Sequence, residues 1–256
     1  MSERLTHNGV PFDNIPSDER ISVINNFLKA TKPNQVVTLN PNMYLEALDQ
    51  ESFLRVLEEA ALVIPESTGL HIYSLIKPPQ MSRFPGVNVT KMAIEISADQ
   101  DKSVLLIGST TENRVEAVRN LQARHSKLQI NQIPGEYNFA NTTDSEWLIN
   151  EIDKFNPNFL IMAGIQIQAE TWINHWLVGS QVNVGLVGNF GQTIDLLAGK
   201  RADHSLARKV GLEWFCRFFT EPEGKANSHA SSLWRFAQFV SRDAGANFSS
   251  EEKQGS

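Results

Sequence analysis

Residues 182–222 read VNVGLVGNFGQTIDLLAGKRADHSLARKVGLEWFCRFFTEP, and this stretch decides how the rest of the chain is interpreted. Apolar residues between Val182 and Val187 predict a buried strand, which leads into the glycine turn 188–191 and then into the apolar segment 194–199. In α/β folds, a strand, a glycine turn and a helix start bring backbone N–H groups to a ligand. We therefore predict a ligand crevice beside Gly191.

The same alternation continues towards the N-terminus. Short apolar runs at 35–39, 62–64, 104–107, 128–133 and 159–163 predict strands, and amphipathic segments such as 113–125, 145–155 and 170–177 predict helices. Short apolar runs separated by amphipathic helices indicate a parallel sheet with helices on both faces. The predicted fold class is α/β, with a Rossmann-like parallel sheet and a short helical C-terminal appendage.

The predicted organisation has four regions. A polar N-terminal segment, 1–19, carries a turn signal at Asn8-Gly9 and a cap for the first helix at Ser17 or Asp18. The α/β domain occupies 20–199 and the helical appendage 200–240. The polar tail, 241–256, is predicted to be disordered.

Composition narrows the class of protein. The net charge of −6 argues against broad nucleic-acid binding, and the single cysteine, Cys216, excludes an internal disulfide framework. No apolar run reaches the roughly 18 residues of a membrane span, so we expect a cytoplasmic protein. A basic cluster from Lys200 to Lys209 could lie on an anionic membrane surface, or it could be a solvated helix face.

Polar residues gather where the predicted strands end. Glu66 follows a strand in a turn of small residues and is the candidate general base, the alternative being an exposed loop glutamate. Thr38 and Asn40 end the preceding strand and could orient a sugar hydroxyl, although an Asn-Pro turn needs no function. Arg83, in a proline-rich loop, could hold a diphosphate by paired hydrogen bonds or be a surface arginine.

Further candidates concern phosphate and metal. The turn at Gly108 and Ser109 lies between a strand and a helix and could hold a phosphate, but it is neither a dinucleotide fingerprint nor a P-loop. Asp99 and Asp101 have the spacing of a sugar-nucleotide metal site, yet they precede a strand and would lie at the wrong edge of the sheet. No histidine or cysteine cluster has metal-ligand spacing, so we expect no metal.

The order of these segments resembles the WecG/TagA/CpsF glycosyltransferases, glycosyltransferase family twenty-six. The resemblance covers roughly residues 20–222, and its segments are Thr38-Leu-Asn40, IPESTG at 64–69, RFPG at 83–86, LLIG at 105–108 and, most strongly, 195–222.

The resemblance implies an inverting enzyme that moves a hexose or N-acetylhexosamine from a UDP-sugar to a polyprenyl-diphosphate-linked saccharide. It implies work at the inner face of the cytoplasmic membrane, in exopolysaccharide or cell-surface polysaccharide synthesis, without metal or cofactor. The family's catalytic positions fall on Glu66, Thr38 and Asn40. The family's arginine falls on Arg83. The other candidate substrate-binding residues are Gly108, Ser109, Gln168, Glu170, Gly191, Asp195 and Arg217.

The chain also departs from the family pattern. Glu66 replaces an aspartate, Ser67 replaces a glycine, and the family's Pro-Lys-Gln-Glu is Ile167-Gln168-Ala169-Glu170. An alternative is therefore a catalytically inactive member that binds nucleotide sugars or acts as a scaffold. A homo-oligomer stays open, because a buried apolar C-terminal helix and a subunit interface look alike in sequence. An NAD oxidoreductase is not favoured, because the glycine fingerprint is missing.

Overall fold

The computed structural model describes residues 3–135, 137, 139, 142–200 and 234–243. The helix over 234–243 is named α10. The other elements, in chain order, are β1 (Glu3–His7), β2 (Val10–Asn14), α1 (Arg20–Lys29), β3 (Asn34–Leu39), α2 (Pro41–Asp49), α3 (Glu51–Glu59), β4 (Leu62–Pro65), α4 (Thr68–Ile76), α5 (Gly86–Asp99), β5 (Ser103–Gly108), α6 (Thr111–Arg124), β6 (Gln129–Gln132), α7 (Thr142–Phe155), β7 (Phe159–Ala163), α8 (Gln166–Trp176), β8 (Leu186–Asn189) and α9 (Thr193–Leu197).

The central sheet has six strands in the order β4-β3-β8-β7-β5-β6, and every neighbouring pair is parallel. This confirms the predicted α/β fold class. The strand expected near residues 182–187 begins later, at Leu186, although Val182 and Val184 are buried against the sheet. Because every neighbouring pair of strands is parallel, the carboxyl ends of all six strands lie at one edge of the sheet.

The two faces of the sheet are covered by different helices. On one face, Val36 and Leu106 pack with α1, α5, α6 and α9. On the other, Leu105 packs with α7 and α8, and Val37 packs with α2, α3 and α4. Alternate strand residues point to opposite faces, and a sheet buried on both sides needs apolar residues at both sets of positions. This requirement explains the continuous apolar runs in the sequence.

The helices that follow neighbouring strands leave the sheet on opposite faces. Ile194 of α9, which follows β8, packs on the face shared with α6, whereas Trp172 of α8, which follows β7, packs on the other face. In open α/β sheets this change of side opens a crevice at the carboxyl edge. This topology therefore agrees with a crevice near the glycine turn, which stays a prediction.

The N-terminal segment contains a hairpin that the sequence analysis did not predict. β1 and β2 pair antiparallel, and the turn residues Asn8 and Gly9 have φ values of +50° and +82°. Left-handed values at both positions suit the twist of a two-residue hairpin turn, which favours Asn-Gly. The turn signal is confirmed. The predicted cap is wrong, because Glu19 occupies the N-cap position of α1 without a side-chain hydrogen bond.

Helix α10 is fastened to the sheet domain at both its apolar face and its end. Phe236 is buried and makes edge-on ring contacts with Tyr44 and Tyr73. Asp243 accepts hydrogen bonds from the Tyr73 hydroxyl at 2.6 Å and from Lys77 Nζ at 2.8 Å. The remaining appendage and the rest of the predicted tail lie outside the described residues.

We expect Asp243→Asn to lower the free energy of unfolding by about 1 kcal/mol at pH 7. Burial alone would raise the pKa of Asp243, but the hydrogen bonds from Lys77 and Tyr73 outweigh burial and leave it lowered. A lowered carboxyl pKa contributes stability above the unfolded value, about 3.9, and that contribution is lost as the pH falls through the folded value.

Urea unfolding of wild type and variant at neutral pH and near pH 3 measures this difference. The control is Asp49→Asn. Asp49 Oδ2 lies 3.9 Å from Nη2 of Arg235, which is on α10, and both side chains are exposed. We expect the control to change stability little at either pH. An equal effect of both variants would show that the Asp243 contacts do not fasten α10.

Candidate active site

Four of the sheet's strands deliver predicted site residues to its carboxyl edge. Glu66 directly follows β4, Asn40 follows β3, Ser109 follows β5, and Gly191 lies two residues beyond β8. Thr38 is the last residue but one of β3 and pairs with Ile64 of β4. Parallel strands end at the same edge, so these positions all lie at the carboxyl edge of the sheet.

Two hydrogen bonds of its backbone hold Glu66 in place. Its N–H donates to the Leu39 carbonyl at 2.9 Å, and its own carbonyl accepts from Arg83 Nε at 2.9 Å. Both Glu66 and Arg83 are half-buried. The arginine that the sequence analysis linked to a diphosphate therefore lies directly against the residue proposed as base.

The loop that carries Arg83 is anchored on both sides. Phe84 is buried, and its N–H donates to the Pro65 carbonyl at 2.8 Å. The Arg20 guanidinium stacks over the Phe84 ring at 4.3 Å. The proline-rich stretch is thus held against the end of β4, which limits the positions that Arg83 can take.

Thr38 packs under the start of α5 and is 5% exposed. A Cβ added to Gly86 would come within 2.8 Å of the Thr38 methyl group and 3.2 Å of the Phe190 ring. Only glycine permits so close an approach of helix and strand. The Thr38 side chain is therefore packed closely against the start of α5 at the carboxyl edge of the sheet.

Asn40 has a local structural role. Its Oδ1 accepts from the backbone N–H groups of Asn42 at 3.0 Å and Met43 at 3.1 Å, which caps helix α2. The Asn-Pro sequence is compatible with such a turn role as well as with an orienting role. The cap uses the carbonyl end of the amide, and the orienting role stays a prediction.

The turn after β5 is tied to α9. Gly108 and Ser109 have φ values of +85° and +56°, and a Cβ on Gly108 would lie 2.0 Å from the Ala163 carbonyl oxygen. Asp195 Oδ1 accepts from Ser109 Oγ at 2.6 Å and from Asn113 Nδ2 at 2.8 Å. Gly108, Ser109 and Asp195 therefore form one unit, which Asn113 joins without having been predicted.

Arg114 supports this turn from behind and is fully buried. Its guanidinium donates to the carbonyls of Gly108 at 2.7 Å, Ser109 at 2.8 Å and Gly135 at 2.8 Å, and to the side chains of Gln132 at 3.0 Å and Thr111 at 2.9 Å. Arg114 was not predicted as a site residue, because an arginine in an amphipathic helix ordinarily indicates an exposed face.

The remaining predicted residues differ in their surroundings. Gln168 is exposed on α8, and Glu170, on the same helix, is fully buried. Gly191 has a φ of +53° and open space around its Cα. Arg217 lies outside the described residues, as do Cys216 and all of the basic cluster except Lys200.

Burial raises the pKa of Glu170 to about 8, opposed by hydrogen bonds from Gln35 and the backbone of Asn189. The negative charge of Glu66 raises it further. Glu66 and Glu170, two acidic residues of the predicted site, therefore interact electrostatically.

Asp99 ends α5 and Asp101 precedes β5, so both lie at the amino edge of the sheet, opposite Glu66. This agrees with the sequence argument against a sugar-nucleotide metal site there. Within the described residues, no group of three or more histidine, cysteine, aspartate or glutamate side chains is placed to hold a metal ion. In the same part of the chain, we find no helix with the length and apolar character needed to cross a bilayer.

Comparison with known proteins gives a consistent family. The model of the glycosyl transferase WecG/TagA/CpsF family matches residues 5–248. Two similar relatives are the N-acetylglucosaminyldiphosphoundecaprenol N-acetyl-beta-D-mannosaminyltransferases of Staphylococcus aureus strains MRSA252 and NCTC 8325, each 25% identical over 215 residues, or 82% of either chain. Because the family model spans nearly the whole chain, the protein belongs to the WecG/TagA/CpsF family of glycosyltransferases.

Proposed function

We propose that the protein transfers a hexose or N-acetylhexosamine from a UDP-sugar to a polyprenyl-diphosphate-linked saccharide, with inversion, in bacterial cell-surface polysaccharide or exopolysaccharide synthesis. The observation that carries the proposal is the placement of Glu66 against Arg83 at the carboxyl edge of the sheet. The names of the relatives supply the first candidates, an N-acetylmannosamine donor and an N-acetylglucosaminyl diphosphoundecaprenol acceptor.

In this proposal, Glu66 is the general base. Its carboxylate takes the proton from an acceptor hydroxyl, and the oxygen forms a bond to the anomeric carbon of the donor. The bond from that carbon to the diphosphate breaks, and UDP leaves with the electron pair. A single displacement from the opposite side inverts the anomeric centre. A positioned base of this kind contributes roughly 10²–10⁴-fold in rate.

The donor diphosphate would lie between Arg83 and the turn at Gly108 and Ser109. Arginine can bind phosphate oxygens by paired hydrogen bonds, and the backbone N–H groups in the first turn of a helix as long as α6 favour negative charge. The Ser109 N–H is not one of these donors, because it donates to the Ala163 carbonyl at 3.0 Å. Such fixed groups would stabilise the charge that develops on UDP. We therefore propose that the reaction needs neither metal nor cofactor.

An acceptor carried on a polyprenyl chain is confined to a membrane. We propose that the protein works at the inner face of the cytoplasmic membrane as a peripheral protein, with the basic part of the 200–240 appendage facing anionic lipid. Each basic residue near such a surface contributes about 1 kcal/mol of attraction.

A second candidate is a nucleotide-sugar-binding or scaffold protein without turnover. The departures at Gln168 and Ala169 favour it, and so does the longer side chain of Glu66 where the family pattern has an aspartate. A shift of the base oxygen by about 1 Å can cost on the order of 10²-fold in rate. Donor binding without transfer to any lipid-linked acceptor would identify this alternative.

A binding panel tests the donor class first. Thermal unfolding is followed with UDP, UDP-N-acetylglucosamine, UDP-N-acetylmannosamine, UDP-glucose and NAD, each with and without Mg²⁺. A ligand at 100 times its dissociation constant adds about 2.7 kcal/mol of stability. We expect stabilisation by UDP compounds without Mg²⁺ and none by NAD. Stabilisation only with Mg²⁺, or by NAD alone, would contradict the proposal.

We expect Ser109→Ala to weaken UDP binding about tenfold, because a hydrogen bond to a charged group contributes about 1.5 kcal/mol or more. The Ser109 hydroxyl donates its proton to Asp195 at 2.6 Å, so the variant releases the β5–α6 turn from that carboxylate and loosens the proposed phosphate site. Isothermal titration with UDP measures the change.

The matched control is Ser103→Ala. Ser103 lies at the other end of β5, where its hydroxyl donates to the Asn156 carbonyl at 3.1 Å. Ser103 begins the strand that Ser109 follows and lies at the opposite edge of the sheet, so its loss should leave UDP affinity unchanged. Equal affinities of wild type and Ser109→Ala would remove the turn from the donor site.

A further inference from the structure

Glu170 is a fully buried acid between α8 and the central sheet. It lies on α8 and has no exposed surface, and its partner Gln35 on β3 is equally buried. Gln35 Nε2 donates to Glu170 Oε2 at 2.8 Å and to the Glu170 backbone carbonyl at 3.0 Å. The other side-chain oxygen of each residue makes no further hydrogen bond of good geometry, although the backbone of Asn189 approaches the Glu170 carboxyl and opposes the rise of its pKa. The carboxyl group therefore has a neutral amide as its side-chain partner.

The elements packed against α8 bring no cation to this carboxyl. β3 and β8 have no ionisable residue. Helix α3 buries Phe53, Val56 and Leu57, and its charged side chains, all of them exposed, are Glu51, Arg55, Glu58 and Glu59. Helix α7 contacts α8 through a hydrogen bond between uncharged side chains, from Trp172 Nε1 to Ser145 Oγ. His175, which lies on α8 itself, is exposed. Among the described residues, the charge that acts on Glu170 is that of Glu66.

A carboxylate in such a place is unfavourable for two reasons. Burial penalises the charged form, and a second negative charge nearby penalises it again. When two carboxyl groups interact in this way, the more solvated one ionises first. Here that group is Glu66, which is half-buried at the crevice.

We infer that Glu170 is a positioning residue that stays protonated while Glu66 is ionised, so that the site holds one negative charge and Glu66 alone accepts the proton. The role in turnover rests on the proposed function. When Glu170 ionises at high pH, a second negative charge acts on the base and on the anionic donor. Ionisation of Glu170 then sets the alkaline limit of the reaction.

The protonation itself can be tested without any activity. An unfolded glutamate loses its proton near pH 4.3, whereas folded Glu170 keeps it up to about pH 8. Between these values the folded state binds more protons than the unfolded state, so this group makes stability fall as the pH rises. The glutamine of Glu170→Gln cannot ionise. The melting temperature of this variant minus that of wild type should therefore increase by roughly 5 °C between about pH 5 and pH 8.

Glu146→Gln is the matched control, because Glu146 is exposed on α7. Its melting temperature should keep a constant difference from wild type over the same range. If the difference for Glu170→Gln is also constant, Glu170 ionises like an ordinary glutamate and the inference is overturned.

Transfer assays then test the positioning role. Glu170→Ala should lower turnover at pH 7 by about tenfold or more, the cost of misplacing a reacting group. Glu170→Gln, which mimics the neutral acid, should recover most of that loss and lack the alkaline decline of wild type. A glutamine variant as impaired as the alanine variant would show that the carboxylate is needed. If wild type transfers no sugar at any pH, the proposed function fails, and the melting experiment still decides whether Glu170 is protonated.

Discussion

Glu66→Gln should reduce the turnover number by about 10²–10⁴-fold while leaving the affinity for the UDP-sugar within roughly twofold. The glutamine amide has nearly the same shape as the carboxylate but cannot accept the proton of the acceptor hydroxyl. The backbone bonds of Glu66 to Leu39 and Arg83 do not depend on its side chain, so the crevice keeps its form. Turnover at saturating donor, together with calorimetric binding, separates the two effects.

Two further variants sharpen this result. Glu66→Asp introduces the residue that the family pattern has at this position and retains a carboxylate, so it should transfer sugar faster than the glutamine variant. Glu59→Gln, an exposed change at the end of α3, should leave turnover unaltered. Normal turnover of Glu66→Gln would show that Glu66 is not the base.

The second large effect concerns stability. Arg114→Met should lower the free energy of unfolding by about 3–5 kcal/mol, because the change leaves buried carbonyl groups without donors. Three backbone carbonyls, those of Gly108, Ser109 and Gly135, depend on this guanidinium. The variant should also bind UDP more weakly, since the turn proposed to hold the diphosphate loses its support.

Arg119→Met is the control on the same helix. Its side chain is 74% exposed and pairs with Glu116 one turn away, so the change should cost about 0.5 kcal/mol or less. Urea denaturation of both variants measures the contrast. A loss below about 1 kcal/mol in Arg114→Met would mean that solvent replaces its hydrogen bonds, and that the turn is not built on this residue.

The parallel sheet was predictable because its signal is local and repeated. Strands such as β5 and β7 are buried on both faces and must be apolar throughout, and the helices between them must be amphipathic. The edge at which Glu66, Thr38 and Ser109 gather follows from the same alternation. Their placement required only the rule that parallel strands end together.

What the sequence did not reveal depends on contacts between distant segments. The hairpin strand β2 is held by Asp13, a buried carboxylate that pairs with Arg4 at 2.7 Å and accepts from the Val63 N–H at 2.7 Å. A charged residue in a short polar segment gives no local sign of that environment. The same is true of Arg114, whose acceptors come from β6 and the turn after β5 as well as from its own helix.

Glu170 shows the limit most clearly. Its place in the family pattern suggested substrate contact, yet burial is a property of the packing of α8 on β3, which no local pattern encodes. Asn40 is the reverse case, because its capping role follows from the local Asn-Pro sequence. Roles that arise within one turn are visible in sequence, whereas the pairing of Gln35 with Glu170 is not.

The most direct test of the proposed function is a transfer assay. Wild-type protein and Glu66→Gln are each incubated with UDP-N-acetylmannosamine and a polyprenyl-diphosphate-linked N-acetylglucosamine acceptor, with a metal chelator present. Wild type should release one UDP for every acceptor that gains a sugar, and the glutamine variant should release almost none. Firm binding of the UDP-sugar by wild type, without transfer to this or any other polyprenyl-diphosphate-linked saccharide, would contradict the proposal and leave a binding or scaffold role.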